Sequence, residues 1–134
     1  MRYRTPSKRS KYHIPKEDYI TAVHWSLRYP DWIKELRTLP DTSKAITYDT
    51  DKVQTSGGYD ATAETAIRRE ELSKKVDLLE STVREVSGDL YEWLLKGVTL
   101  GFNYWQLQQL GMPATDKEFY DKRQHYYFLL AKRI

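Results

Sequence analysis

Apolar side chains recur three and four residues apart along most of this chain, and the recurrence stops and restarts at recognisable punctuation. The first helical pattern opens near Pro15, a favoured first-turn residue, followed by Glu17 and Asp18. Tyr19, Val23 and Leu27 share one face, with Ile20 and His24 beside them. Tyr29-Pro30 is expected to break this helix, because the residue before proline avoids the helical region. Asp31 then reads as the N-cap of a short second helix carrying Trp32, Ile33, Leu36 and Leu39, which Pro40 ends. Between residues 41 and 59 the periodicity disappears. Asp, Thr, Ser, Gly and Lys dominate there, and Ser56-Gly57-Gly58 closes a stretch that reads as a loop or linker.

From Asp60 a long helix is predicted, with Ala63, Ala66, Ile67, Leu72, Val76, Leu79, Val83 and Val86 as its apolar positions. From Leu72 onward the spacing alternates four and three, as in a coiled-coil seam. Such a 72–86 stripe can fold back on its own chain or join a second copy as a homodimer; intramolecular packing is the favoured expectation. Gly88 reads as the helix stop and Asp89 as the cap of the next helix. That helix carries Leu90, Tyr91, Trp93, Leu94, Leu95 and Val98 on almost every side, the pattern of a central core helix.

The C-terminal stretch predicts a helix pair. Asn103 can cap a short helix, Tyr104 to Leu110. Gly111-Met112-Pro113 forces a turn, since glycine permits positive φ and proline cannot extend the helix. Thr115-Asp116-Lys117-Glu118 is a capping-box pattern that opens a final helix running to Lys132. Phe119, Tyr126 or Tyr127, and Leu130 are expected inward; Lys117, Tyr120, Asp121, Gln124 and His125 are expected outward.

These patterns predict an all-α fold: a small helical bundle with a C-terminal helix-turn-helix, preceded by a flexible basic arm. The expected division is an arm at 1–12, a helical pair at 13–40, a linker at 41–59 and a helical domain at 60–134, with the helix-turn-helix at 103–132.

Charge changes the picture more than overall composition does. The net charge is only +3. Residues 1–12 hold Arg2, Arg4, Lys8, Arg9 and Lys11 and no acid, while residues 13–100 are net acidic. Residues 101–134 return to basic through Lys117, Lys122, Arg123, Lys132 and Arg133, against Asp116, Glu118 and Asp121. Basic ends around an acidic middle suggest an anionic partner gripped by the ends. No apolar run approaches the roughly 18 residues a membrane span needs, so no membrane partner is expected. Cysteine is absent, which removes disulfides, thiol nucleophiles and cysteine-based zinc sites. No metal spacing joins His13, His24 and His125, and Gly57-Gly58 alone is no phosphate loop. The chain therefore reads as a non-enzyme without cofactor or metal, and its lack of cysteine fits a reducing, cytoplasmic interior.

A short helix, a glycine turn and a capped longer helix let the second helix project its first turns into a major groove about 12 Å wide. On that reading Lys117, Tyr120 and Gln124 face base edges. Lys122, Arg123, Lys132 and Arg133 contact phosphates, and Arg2, Arg4, Lys8 and Arg9 trail along the backbone or enter a minor groove. Asp116 and Asp121 make this surface less basic than a typical reader. Tyr104-Trp105 and Tyr126-Tyr127-Phe128 also suit stacking on single-stranded bases, but on helices core packing is the better reading.

Tyr29-Pro30-Asp31-Trp32 before a short helix, a glycine-containing loop, Ala66-Ile67-Arg68-Arg69 opening a long helix, and Phe119-Tyr120-Asp121-Lys122-Arg123 in a final capped helix resemble the RinA and ArpU-like late-gene transcription regulators of phages of Gram-positive bacteria. The likeness covers most of the chain from about Tyr29 onward. In that group the C-terminal region is similar to the DNA-binding end of sigma factors. The resemblance implies a phage or prophage transcription regulator, in the cytoplasm of a bacterial host cell, that binds double-stranded DNA, with RNA polymerase or another phage or host protein as further partner. It places the recognition helix on Thr115 to Lys132. Two departures are a longer turn, Gly111-Met112-Pro113-Ala114, and Lys117 where a compact motif wants an apolar residue. The other open reading is a non-enzymatic phage interaction protein, such as a small terminase-like subunit or an inhibitor of a host protein.

Overall fold

In the computed structural model the described residues are 5–39 and 56–134, with backbone only for 56–62. Their order is α1 (Lys16–Leu27), α2 (Tyr29–Thr38), α3 (Ser56–Ser87), a short 3-10 turn (Gly88–Leu90), α4 (Tyr91–Leu100), α5 (Tyr104–Gln109) and α6 (Asp116–Arg133). The chain is all-α, with no strand among the described residues. Expectations for Arg2, Arg4 and residues 40–55 lie outside the described residues. The described residues group into two units, one made of 5–30 and 78–134, the other of 31–39 and 56–77. This grouping differs from the sequential division expected from punctuation, because the large unit joins the first helix to the last three.

In the large unit α1 packs on α6 and on α4, and α4 also touches α5 and α6. Ala22, Val23 and Tyr19 of α1 are buried, as are Leu94 and Val98 of α4, and Phe119, Tyr126, Tyr127 and Leu130 of α6. Each fully buried leucine contributes roughly 1.5–3 kcal/mol. α4 holds the central position its apolar sequence predicts. Gly97 is inside it, where a Cβ would lie 2.9 Å from Phe119 Cζ. Glycine therefore permits the close approach of α6 to α4. Gly101 then ends α4 in the left-handed region, at φ 74°.

Leu79, Val83 and Val86 of α3 are buried within this one chain. Tyr29 donates a hydrogen bond to the Glu80 carboxylate. In the small unit, Leu72, Val76 and Trp32 are buried. The predicted 72–86 seam is thus covered intramolecularly, while Ile67, an apolar position earlier in the same helix, is 60% exposed. Arg68 pairs with Glu35, whose carboxyl is held below its ordinary pKa first by that hydrogen bond. Arg69 donates to the carbonyls of Leu36 (3.4 Å) and Leu39 (2.8 Å), closing the C-terminal end of α2 with a cation where the helix dipole favours one.

Several local expectations are corrected. α1 ends at Leu27, as the Tyr29-Pro30 break predicts, but α2 begins at Tyr29, so Asp31, expected as its N-cap, falls with Pro30 in its first turn. A first-turn proline loses nothing, because its missing N–H has no helical acceptor there. α3 begins at Ser56 rather than Asp60, so 56–59 is helical and not linker. Asp89 caps nothing: Gly88, at φ 56°, leads into the 3-10 turn, and Leu90 precedes α4 without a side-chain cap.

Candidate nucleic-acid interface

The C-terminal pair is built by two caps. Asn103 accepts from the Gln106 amide at 2.9 Å, and the Gln106 side chain accepts from the Asn103 amide at 2.9 Å. This reciprocal box went unread in the sequence, where Asn-x-x-Gln is a weaker signal than Thr-x-x-Glu. At the next helix Thr115 accepts from the Glu118 amide at 3.2 Å. The Glu118 carboxylate makes no return bond among the described residues; Asp116 accepts from the Lys117 amide at 2.8 Å. Gly111, at φ 106°, makes the turn, and Met112 tucks in behind it, buried. The Tyr104 hydroxyl ties the pair together by donating to the Ala114 carbonyl at 3.0 Å.

Residues 5–12, expected as flexible arm, are laid on the large unit. Pro6 is buried. A carbonyl can only accept, so His13 carries its proton on Nδ1, which donates to the Pro6 carbonyl at 3.0 Å. Ser10 accepts from the Tyr12 amide at 3.1 Å. Tyr12 stacks on His125 of α6, with centroids 4.6 Å apart and planes 13° apart, and leans on Phe128 at 5.8 Å. Lys11 Nζ lies 5.0 Å from the Tyr12 ring centroid, and Lys132 Nζ lies 3.9 Å from that of Phe128. A Lys11–Tyr12–Phe128–Lys132 strip therefore sets two rings between two cations across the two ends of the chain. Burial lowers the pKa of His125, with Lys11 and Lys122 acting the same way and Asp121 and Glu85 opposing. At neutral pH the ring in the stack is thus uncharged.

The sequence-predicted contacts divide into three sets. Lys8, Arg9 and Lys132 are exposed and lie on the segment or helix that carry the strip, while Lys117 is exposed on the first turn of α6 beside Asp116 and Glu118. Two others have intramolecular work. Lys122 Nζ donates to the Val86 carbonyl at 3.5 Å. Arg133 donates to Thr82 Oγ1 at 3.0 Å and to Glu85 at 2.7 Å. The remaining three, Tyr120, Arg123 and Gln124, line a cleft of about 490 Å³. Its other wall is Thr5, Pro6, Ser7 and Ser10, with Tyr19 of α1. Arg123 stacks over Tyr120 at 4.7 Å. Burial raises the pKa of Tyr19, and Arg123 pulls it partly back.

Lys11, Tyr12 and Phe128 were missed as members of the strip, as was the stack of Tyr12 on His125. The available signal was Tyr12, an aromatic residue in an otherwise polar, basic segment. Among the described residues, no cluster of His, Asp and Glu could hold a metal ion, and no helix is long and apolar enough to cross a membrane. Compared with protein-family models, curated proteins and solved structures, the chain matches none of them.

Proposed function

We propose that this chain binds double-stranded DNA as a transcription regulator, with the basic N-terminal segment and α6 forming one contact surface. The observation that carries the reading is the Lys11–Tyr12–Phe128–Lys132 strip, which brings the two basic ends of the sequence together. A duplex presents one negative charge per roughly 1.7 Å of axis, so a fixed row of cations gains affinity by releasing counterions. Lys8, Arg9, Lys11 and Lys132 contact phosphates, and Arg2 and Arg4 add charge to the same segment. Lys117, on the first turn of α6, reads a base edge. The resemblance to phage late-gene regulators adds the expectation of a phage or prophage role in a bacterial cytoplasm, with RNA polymerase or another phage or host protein as partner.

The test is a gel shift with fragments of the genome that encodes the chain, at two salt concentrations. The intact protein should bind more weakly at the higher salt. Changing Lys8, Arg9, Lys11 and Lys132 together to alanine should flatten the dependence of log affinity on log salt by roughly 0.9 for each phosphate that is no longer neutralised. Absence of binding to every fragment at low salt would overturn the proposal.

A second reading, a non-enzymatic interaction protein, is favoured by another observation. Trp105 is 67% exposed and Leu110 56% exposed on and beside α5. Asp116, Glu118 and Asp121 give the first turns of α6 an exposed acidic edge. Large exposed apolar side chains beside acidic groups suit a protein partner better than a phosphate backbone.

A further inference from the structure

We propose that the cleft between the N-terminal segment and α6 is a binding site for a phosphomonoester of about nucleotide size, held by Arg123. The inference does not rest on duplex binding through the strip, because it uses a different, concave surface.

Among the described residues, Arg123 is the one charged side chain lining the cleft. No carboxylate forms an ion pair with it among those residues. Its guanidinium is instead set by the face of Tyr120, at 4.7 Å from the ring centroid, an arrangement that fixes the fork without consuming its N–H donors. The remaining polar lining is rich in hydroxyl donors. Ser10 Oγ already accepts from the Tyr12 amide, so its own hydrogen is free to donate outward. Tyr19 keeps its proton, since burial raises its pKa. Thr5 and Ser7 have no side-chain hydrogen bond to any other described residue and sit on the opposite wall.

One guanidinium with hydroxyls from separate elements suits a tetrahedral anion. A planar carboxylate is satisfied by the fork alone and leaves the hydroxyls unused. A phosphomonoester carries three terminal oxygens and can accept from both walls. The cleft volume, about 490 Å³, falls in the range of pockets for small organic ligands and far exceeds a bare phosphate. An organic body must accompany the anion, and Gln124 offers it one amide donor and one acceptor.

The experiment titrates the full chain, labelled with nitrogen-15, with adenosine monophosphate, adenosine and inorganic phosphate in parallel. Saturable shifts should appear at Ser7, Ser10, Gln124 and Arg123 with the monophosphate, weaker ones with phosphate, and none with adenosine. Arg123→Gln should weaken monophosphate binding about tenfold or more, as removal of a charge-assisted bond does. Lys74→Gln, on α3 and outside the cleft, should leave it unchanged. Should Arg123→Gln fail to fold, Thr5→Ala with Ser7→Ala serves in its place and should also weaken binding. No saturable shift at millimolar monophosphate would overturn the proposal, as would equal binding of adenosine or full affinity in the cleft variant. A short oligonucleotide with and without a terminal phosphate separates the sources: preference for the phosphorylated strand identifies a nucleic-acid end, and binding of the free monophosphate alone identifies a metabolite. Either result supports the site.

Discussion

The hydroxyls of Ser26 and Tyr126 lie 2.7 Å apart in the buried seam between α1 and α6, joining residues 100 positions apart. Ser26 Oγ already donates to the Ala22 carbonyl at 2.9 Å, so the Tyr126 O–H is the donor of the pair. Removing Ser26 strands the phenol, whereas removing the phenol leaves Ser26 still bonded to the Ala22 carbonyl. Ser26→Ala orphans a buried phenol and should cost about 1–3 kcal/mol, whereas Tyr126→Phe leaves an under-used oxygen and should cost about 1 kcal/mol. The double variant should cost less than the two together, because nothing is then left unpaired. Urea unfolding of the four proteins measures this, and strict additivity would show that the bond contributes no coupling.

Gly97 predicts a different kind of failure. Alanine at an ordinary helix interior gains roughly 1 kcal/mol over glycine. Here the added Cβ would meet Phe119 Cζ at 2.9 Å, and Phe119 is fully buried. Overpacking of this kind costs about 1–3 kcal/mol, so Gly97→Ala should be neutral to destabilising where propensity alone says stabilising. A rise in melting temperature would show that α6 shifts freely on α4.

Alkaline pH should unfold the chain through its buried phenols. Burial raises the pKa values of Tyr19, Tyr126 and Tyr127 above the ordinary 10.0. Below pH 10 these groups are protonated in both states and their contribution is fully present. Above it the unfolded chain releases protons that the folded chain retains, so stability falls as pH rises. Each group removes about 1.4 kcal/mol per pH unit once its unfolded form has ionised. Tyr127→Phe should reduce the slope of stability against pH above 10 by one such share. An unchanged slope would mean that Tyr127 ionises without unfolding.

Local signals carried much of this structure. Thr115 and Asn103 name their helices because a cap is a property of neighbouring residues. Phe119, Tyr126, Tyr127 and Leu130 name the inward face of α6 because burial follows helical period. Pro30 marked the end of α1, but Asp31 misled as a cap, since a proline that ends one helix can also sit in the first turn of the next. Asp89 misled because Gly88 turned the backbone before a cap could form. Residues 5–12 read as an arm because they lack aliphatic side chains. What holds them is one ring stacked on His125 and one proline under His13, and neither partner is chosen by local pattern. The cleft was illegible for the same reason: its hydroxyls come from three separated segments, and serine or threonine in a polar stretch carries no mark of what it faces.

The stack of Tyr12 on His125 also bears on what residues 5–12 would do for the proposed partner. A loose basic tail reaches over a wide radius but pays conformational entropy for each residue it orders on contact. A segment already seated on α6 gives up that reach and meets an anion with its charges at fixed spacing, the ordering cost met during folding. On the proposed function, Lys11 and Lys132 then act as a ruler. The spacing of negative charge on a partner, and not only its amount, decides how well it fits.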